Sequence, residues 1–292
     1  MPTLRNLLNQ ASNLDSREAL LLLAHATGKP ESFIKTHETM EADDKTTKLF
    51  LDYISRRLNH EPVAYIVGSQ PFCGLNFYVD SRVLIPRPET ETLAEIVASD
   101  IGREVSGDKK IVVLDIGTGS GCIACSIAKR FGDALVIASD NSPATLSVVK
   151  YNDRMLSTGI KIIHSDLIGT QMQQELRKIF SAQESVTLFA VANLPYLPYR
   201  DADDMQKDVY GYEPKNALFA NDDGMALIKK CIQQFKSLIF PYCKSDDEWA
   251  LYFEIDPEQA DKLKEFVKSV FEDKRIQIKK DLCGRDRFLI IS

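Results

Sequence analysis

The stretch Asp115-Ile116-Gly117-Thr118-Gly119-Ser120-Gly121 decides the fold of this 292-residue chain. It follows an apolar run at 111–114 and precedes helical spacing over about 121–131, so a glycine-rich loop joins a buried strand to a helix. The alternation of apolar strand and helical spacer then repeats, which predicts a doubly wound, mostly parallel α/β sheet. The last two strands are joined by a short connection through Gly284 and should pair antiparallel. The seven predicted strands are 111–115, 134–140, 160–164, 186–192, 249–255, 275–280 and 288–291.

The glycine loop also indicates the kind of ligand. A phosphate-binding P-loop ends in Gly-Lys followed by Ser or Thr, whereas Cys122 and Ile123 follow Gly121 here. A dinucleotide loop, Gly-x-Gly-x-x-Gly, would place glycine at 122, although that pattern tolerates variation. The observed Gly-x-Gly-x-Gly, led by Asp115, resembles the S-adenosylmethionine loop of Rossmann-like class I methyltransferases. That ligand carries a sulfonium and an ammonium group and no phosphate, so a neighbouring carboxylate is favourable.

Two more carboxylates come at the ends of the next two strands. Asp140 ends the second strand and can accept both hydroxyls of a ribose, an interaction that dinucleotide and adenosyl cofactors share. On its own it is also an ordinary strand-ending turn residue. Asp166 follows the third strand and is placed to accept an adenine amino group. The predicted cofactor-binding residues are Asp115, Gly117, Thr118, Gly119, Ser120, Gly121, Asp140, Asp166, Leu167 and Asn193.

The tetrapeptide Asn193-Leu194-Pro195-Tyr196 follows the fourth predicted strand. Open α/β sheets bind ligands outside the carboxyl ends of their strands. The Asn193 side chain offers one acceptor oxygen and two N–H donors, which suits a planar amide or an amino-purine. We therefore predict a catalytic site at Asn193, Leu194, Pro195 and Tyr196. Tyr196 would pack against the planar group or form the pocket wall, and a core aromatic with a solvated hydroxyl is the alternative.

The composition is that of a globular protein, with 44% hydrophobic and 27% charged residues. The net charge of −6 argues against broad binding of duplex nucleic acid, so no stable nucleic-acid binding is expected. We see no signal peptide and no membrane span, and we expect a cytoplasmic monomer with free thiols. Cys122 and Cys125 could be a redox pair or half of a metal site, but small core residues are the better interpretation, and no metal is expected.

The sequence predicts that the chain has three parts. Residues 1–60 show helical spacing, with Asp15 or Ser16 as a cap for the second helix, and form a helical domain for substrate docking. Residues 61–85 alternate apolar and other residues and predict a β-hairpin linker. Residues 86–292 form the domain that carries the glycine loop. Within it, the polar stretch 199–219 predicts either a flexible segment over the acceptor pocket or a solvated surface loop.

Residues 61–292 resemble the release-factor glutamine methyltransferases of the PrmC/HemK type. The most specific matches are Pro86-Arg87-Pro88-Glu89-Thr90-Glu91 and Glu213-Pro214-Lys215-Asn216-Ala217-Leu218. The N-terminal helices agree in architecture only. The remaining matching stretches are Glu61-Pro62-Val63-Ala64-Tyr65-Ile66-Val67-Gly68, Leu84-Ile85, 114–121, 193–196, Asp223-Gly224-Met225 and Asp281-Leu282-Cys283-Gly284-Arg285-Asp286-Arg287.

The resemblance implies transfer of a methyl group from S-adenosylmethionine to a Gln side-chain amide nitrogen. In that family the Gln belongs to the Gly-Gly-Gln motif of peptide-chain release factors, which are the protein partners implied here. The Asn193 oxygen would accept one amide N–H and the Leu194 backbone carbonyl the other. These bonds would aim the nitrogen at the methyl group, an orientation effect that lowers a barrier by several kcal/mol.

One residue departs from the family pattern. The family has Asn-Pro-Pro-Tyr, and Leu194 replaces the first Pro. Leu194 keeps the backbone carbonyl oxygen that would accept the amide N–H, so we expect activity to be retained. Leu does not fix φ as Pro does, however. Asn-Leu-Pro-Tyr is also the form found in ribosomal RNA adenine dimethyltransferases. An amino-methyltransferase acting on ribosomal RNA adenine or DNA is therefore the alternative, although the acidic chain and the N-terminal extra domain disfavour it.

Overall fold

The computed structural model describes residues 1–104, 109–183, 185–244 and 248–292. The protein divides into two compact units, residues 1–69 with 205–213 and residues 70–204 with 214–292. In these described ranges, no helix combines the length and the apolar character that crossing a membrane requires.

The first unit is helical, as the sequence predicts. Asp15 accepts two N–H groups of the first turn of the second helix, and Gly28, with φ of 65°, ends that helix. The segment 205–213 packs with this unit, since the Tyr212 hydroxyl donates to the Asn59 carbonyl oxygen at 2.7 Å. The helices are α1 (Leu4–Gln10), α2 (Ser16–Thr27), α3 (Glu31–Thr36), α4 (Asp44–Leu58) and α5 (Val63–Val67), and their apolar faces form one core.

The prediction of β-structure throughout 61–85 is wrong at its start. Val63–Val67 is the helix α5, which begins after Pro62 and ends at Gly68, with φ of 66°. All five residues of this run are apolar, so its periodicity could not distinguish a strand from a helical turn. The hairpin itself is shorter than predicted and consists of β1 (Gln70–Phe72) and β2 (Leu75–Phe77), which pair antiparallel. The buried side chains at 79, 83 and 85 belong to a segment without regular structure.

The second unit is built on the predicted seven-stranded sheet. Its strand order is β10-β11-β9-β6-β3-β4-β5, and β11 runs antiparallel to both of its neighbours. The chain runs from β3 to β4 and β5 on one side, then returns to pair β6 with the other side of β3. The topological switch point therefore lies between β3 and β6. The strands are β3 (Lys110–Ile116), β4 (Leu135–Asp140), β5 (Lys161–His164), β6 (Val186–Ala192), β9 (Glu248–Glu254), β10 (Ile276–Lys280) and β11 (Asp286–Ile291).

Helices cover both faces of this sheet and leave its central strands β3, β6 and β9 buried. The helices α6 (Pro88–Glu104), α7 (Cys122–Arg130) and α8 (Pro143–Leu156) pack on one face. The opposite face packs against α9 (Thr170–Ala182), α11 (Ala226–Gln234) and α12 (Ala260–Val270). All seven residues of β6 are buried, which explains its uninterrupted apolar sequence. Cys122 and Cys125 are free, buried thiols within the first of these cores.

The polar stretch after β6 contains more structure than a solvated loop would have. The two-residue strands β7 (Leu197–Pro198) and β8 (Phe219–Ala220) pair in parallel. Between them lie 3₁₀ turns at Tyr199–Asp204 and Lys215–Ala217, with the helix α10 (Lys207–Tyr212). The exposed ring of Tyr199 stacks on Phe219, with centroids 5.2 Å apart. The two short strands hold the ends of the stretch together close to the carboxyl end of β6.

Candidate active site

The glycine loop after β3 is fixed in part by hydrogen bonds between residues close to it in sequence. Asp115 is 1% exposed, and its Oδ2 accepts the Thr118 hydroxyl at 2.6 Å and the Ala124 N–H at 3.0 Å. Burial raises the pKa of Asp115 to about 6, although both hydrogen bonds lower it. Gly117 and Gly119 have φ of 70° and 57°, which other residues rarely adopt. A Cβ at Gly119 would meet no heavy atom within 4 Å, so the loop leaves open space there for a ligand.

The two carboxylates predicted for the adenosyl group lie at successive strand ends. Asp140 Oδ1 accepts the Ser142 N–H at 2.9 Å, and its Oδ2 accepts the Gly119 N–H at 3.3 Å. Burial raises the pKa of Asp140. Asp166 Oδ2 accepts the Lys230 ammonium group at 2.6 Å. These contacts leave further lone pairs on both carboxylates, since each carboxylate oxygen can accept more than one hydrogen bond.

The Asn193 side chain stands at the end of β6 and belongs to a chain of side-chain hydrogen bonds. Its Nδ2 donates to Thr90 Oγ1 at 2.9 Å, and the Thr90 hydroxyl donates to Glu254 Oε2 at 2.8 Å. The Tyr196 hydroxyl donates to the other oxygen, Glu254 Oε1, at 3.0 Å. Glu254 ends the neighbouring strand β9, and Thr90 lies in the first turn of α6. Burial raises the pKa of Glu254, while hydrogen bonds from Thr90 and Tyr196 and the charge of Arg287 lower it.

The backbone of the same loop is held by a second set of contacts. Gln259 is 4% exposed, and its Nε2 donates to the carbonyl oxygens of Tyr196 and Asp223 at 2.8 and 2.9 Å. Gly224 follows Asp223 with φ of 83°, and a Cβ there would lie 1.8 Å from the Tyr196 carbonyl oxygen. Only glycine allows this close approach. The loop at 193–196 is therefore fixed through both its side chains and its backbone.

The loops after β3 and β6 meet directly. Leu194 is buried, and its Cδ2 lies 2.8 Å from where a Cβ on Gly117 would stand. Leu194 thereby joins the core on the α9, α11 and α12 face of the sheet. The residue that departs from the family pattern thus packs against the first glycine of the cofactor loop.

A cleft of about 970 Å³ brings most of the predicted site residues together. Gly121 lies outside its lining and directly precedes α7 as its N-cap residue. Tyr196 also lies outside the lining, since its hydroxyl is turned to Glu254. The predicted residues that line the cleft are Asp115, Gly117, Thr118, Gly119, Ser120, Asp140, Asp166, Leu167, Asn193, Leu194 and Pro195.

The sequence predictions missed several residues around the cleft. Thr90 lines it and contacts Asn193, although the sequence of its stretch indicates only the family resemblance. Glu254 is a carboxylate at the end of a buried strand, the same signal that singled out Asp140, and could have been found in that way. Gln259 carried no comparable signal because its role depends on two loops brought together by the fold. The cleft is also lined by Arg82, Val83, Leu84, Pro86, Arg87, Asn141, Thr145, Pro214, Asn216 and Ala217.

The residues of the cleft fit S-adenosylmethionine. A glycine loop with open space beside Gly119 admits a ligand close to the backbone. Three carboxylates, Asp115, Asp140 and Asp166, line the cleft. They favour a cationic sulfonium and an ammonium group and would repel a pyrophosphate.

Comparisons with known proteins agree with this fit. The PrmC N-terminal domain family matches residues 3–68, and the methyltransferase small domain family matches residues 92–182. The chain is 35% identical over 237 residues to a release factor glutamine methyltransferase of Enterococcus faecalis, covering 81% of this chain and 78% of that protein. It is 37% identical over 221 residues to a release factor glutamine methyltransferase of Koribacter versatilis, covering 75% and 72%.

Solved structures support the fold at low sequence identity. The hMettl16 catalytic domain, in complex with MAT2A 3'UTR hairpin 1, aligns with a TM-score of 0.52 and 14% identity, covering 92% of this chain and 89% of that one. The N-terminal domain of human METTL16, in complex with SAH, aligns with a TM-score of 0.50 and 15% identity, covering 92% and 93%. At such identity these structures show a shared fold and nothing about the acceptor.

The fold and the cleft together define a class I methyltransferase that uses S-adenosylmethionine, as the sequence predicts. The two curated relatives identify the family within this class. At 35% and 37% identity over most of both chains, they show that the chain belongs to the release factor glutamine methyltransferase family.

Proposed function

We propose that this protein methylates the side-chain amide nitrogen of the Gln in the Gly-Gly-Gln motif of peptide-chain release factors. The observation that carries the proposal is the position of Asn193, in the lining of the cleft and directly after β6, the strand that pairs with β3. Membership of the family supplies the substrate class. An amide acceptor also fits the chemistry of the loop, which presents carbonyl oxygens to N–H donors.

S-adenosylmethionine, when bound, supplies an electrophilic methyl group on a sulfonium centre. Three carboxylates would hold it: Asp140 at the ribose hydroxyls, Asp166 at the adenine amino group, and Asp115 toward the ammonium group. Asp140 and Asp166 keep lone pairs beyond their contacts with backbone N–H groups and Lys230. The glycine loop gives the ligand close access to the backbone.

The Asn193 oxygen and the Leu194 carbonyl oxygen would accept the two N–H groups of the Gln amide. An amide nitrogen is a weak nucleophile because its lone pair is delocalised into the carbonyl group. Neither oxygen is basic enough to remove a proton at neutral pH, so these groups orient the nitrogen and do not deprotonate it beforehand. Orientation of this kind contributes several kcal/mol to a rate.

Tyr196 supports the loop from outside the cleft. Its hydroxyl is bound to Glu254, and burial raises the pKa of the phenol, so it stays protonated at neutral pH. It therefore serves to hold the loop and takes no part in proton transfer.

We further propose that residues 1–60 form a docking domain for the release factor, with 61–85 as linker and 86–292 as the catalytic domain. The protein would act as a monomer that binds no nucleic acid stably, in keeping with its net charge of −6. Because release factors act on ribosomes, a cytoplasmic location follows from the proposed substrate.

The test uses the purified protein with S-adenosylmethionine labelled in its methyl group. Intact release factor should become labelled, while a factor with the motif Gln changed to Ala should not. Protein-free ribosomal RNA is the second acceptor in the same assay. Labelled RNA beside unlabelled release factor would overturn the proposal and favour the adenine-methylating alternative.

A further inference from the structure

In the chain of hydrogen bonds that joins Asn193, Thr90 and Glu254, the donor and the acceptor of each bond are fixed. Glu254 is 1% exposed and accepts two hydroxyl protons, from Thr90 and from Tyr196. An ionised carboxylate can only accept hydrogen bonds. Burial raises the pKa of Glu254, but the two hydroxyl donors at 2.8 and 3.0 Å and the charge of Arg287 oppose that shift and favour the ionised form.

Because Glu254 only accepts, it fixes which group donates at the Thr90–Glu254 bond and then at the Asn193–Thr90 bond. A threonine hydroxyl has one proton, and Thr90 gives it to Glu254. Toward Asn193 the same hydroxyl can therefore only accept. The atom of Asn193 that faces Thr90 must then be the N–H donor Nδ2, at 2.9 Å, and not the oxygen.

This constraint matters because an Asn amide can otherwise turn by 180°. Its two ends are nearly equal in size and opposite in hydrogen-bonding character. Within the described residues, Asn193 Oδ1 has no hydrogen-bond donor, so it is the atom left for a ligand in the cleft. With the opposite orientation, the loop would present an N–H to the N–H of a Gln amide, and the two would repel.

We propose that Glu254 and Thr90 are positioning residues that fix the Asn193 amide with its oxygen toward the acceptor, and so select an N–H donor over a carboxylate. This inference rests on the proposed function and deepens it, because it assigns residues outside the tetrapeptide to acceptor recognition. Thr90 comes from α6 and Glu254 from β9, both far from Asn193 in sequence. The Asn193–Thr90 contact spans 103 positions, and the Thr90–Glu254 contact spans 164.

The first test removes the hydroxyl without changing the shape of the side chain. Thr90→Val should lower kcat on release factor about 10- to 100-fold, since misplaced reacting groups cost up to about that much. The dissociation constant for S-adenosylmethionine should stay within about twofold, because Thr90 contacts none of the three carboxylates. Thr90→Ser, which keeps the hydroxyl, should restore kcat to within about threefold of the wild type.

Thr187→Val is the matched control. Thr187 is a buried threonine in β6, the strand that leads to Asn193, and its hydroxyl has no partner among the described residues. Its kcat should equal that of the wild type. The inference is overturned if Thr90→Val retains full activity, if the control loses as much, or if Thr90→Ser is as impaired as Thr90→Val.

A second variant tests this assignment of donors and acceptors. Gln at 254 keeps the size of the side chain but can both donate and accept, so Glu254→Gln allows Thr90 and Asn193 to reverse. A release factor with its motif Gln changed to Glu should then inhibit the variant more strongly than the wild type, because a reversed Asn193 offers an N–H to the carboxylate. Equal inhibition of both enzymes would overturn the inference, even if Thr90→Val failed to fold.

The same series separates the two proposals. A wild-type enzyme that leaves the release factor unlabelled defeats the proposed function before any variant is compared. A wild-type enzyme that labels it, together with a fully active Thr90→Val, defeats only the inference about positioning. The double variant Thr90→Val with Glu254→Gln should be no slower than the slower single variant, since residues that act as one unit are not additive.

Discussion

The cofactor loop and the acceptor loop follow neighbouring strands, yet they are stabilised in different ways. Asp115 holds the cofactor loop through Thr118 and Ala124, which lie three and nine positions away. The acceptor loop depends on partners far along the chain. Asn193 contacts Thr90 across 103 positions, and the Tyr196 carbonyl contacts Gln259 across 63. The first loop is thus held mainly by residues close to it in sequence, with Asp140 binding the Gly119 N–H across 21 positions, and the second depends on more distant parts of the fold.

The largest effect should come from removing the acceptor group itself. We expect Asn193→Ala to lower kcat about 100- to 1,000-fold, comparable to the loss of one oriented hydrogen-bonding group in other active sites. The dissociation constant for S-adenosylmethionine should change by less than about threefold, because the three carboxylates are untouched. Steady-state kinetics and calorimetric titration measure the two quantities.

This result would show that the acceptor loop serves catalysis while the cofactor loop serves binding of S-adenosylmethionine. If Asn193→Ala lost cofactor affinity as strongly as it lost kcat, the comparison would break, since the cofactor contact that the sequence also predicts for Asn193 would then outweigh its contact with the acceptor. The fluorescence melting temperature serves as the control for folding.

The second prediction concerns the distant support of the acceptor loop. Gly224→Ala would place a Cβ 1.8 Å from the Tyr196 carbonyl oxygen, at φ of 83°, so the backbone must move. We expect the free energy of unfolding to fall by about 2–4 kcal/mol, as for other strained backbone substitutions. Urea denaturation followed by circular dichroism measures this change.

Gly132→Ala is the matched control for this variant. A Cβ there would meet no heavy atom within 4 Å, and the residue lies outside the left-handed region. Its stability should stay within about 0.5 kcal/mol of the wild type. Equal stability of the two variants would show that the close approach of Gly224 to Tyr196 does not affect the free energy of unfolding.

The same contrast explains what could be predicted from the sequence. The seven strands, the antiparallel last strand and the helical N-terminal unit follow from local periodicity, and the structure confirms them. The cleft residues Asp115, Asp140 and Asn193 each lie at or just after the carboxyl end of a strand, so their shared edge was predictable. Thr90 and Gln259 act through contacts that exist only after folding, and no local pattern marks them, whereas Glu254 carries the strand-end signal that also marks Asp140. The β-structure predicted over 61–85 is wrong at Val63–Val67, because a uniformly apolar run has no period that separates a strand from a helix.

The third prediction uses the pH dependence of the cofactor loop. Burial raises the pKa of Asp115 to about 6, so the free protein holds a neutral acid below that pH. A bound cation favours the carboxylate, so binding releases a proton and affinity falls as the pH drops through about 6. From pH 7.5 to 5.5, the dissociation constant for S-adenosylmethionine should rise about fourfold, the ratio of ionised fractions.

Asp115→Asn tests the origin of this pH dependence. It keeps an oxygen for Thr118 and Ala124 but carries no charge, so its affinity should be weaker at pH 7.5 and nearly flat toward 5.5. A wild-type affinity that stays constant over this range would show that Asp115 does not face the cationic part of the cofactor.

The smallest effect is expected where the two loops touch. Leu194→Pro restores the residue of the family pattern and keeps the carbonyl oxygen that would accept the second amide N–H. Proline fixes φ, which favours a rigid loop, but it also removes the Leu194 side chain from its contact with Gly117. These changes oppose each other, so kcat should stay within about threefold of the wild type. A loss as large as that of Asn193→Ala would show that packing between the loops, and not the carbonyl oxygen, is what position 194 contributes to catalysis.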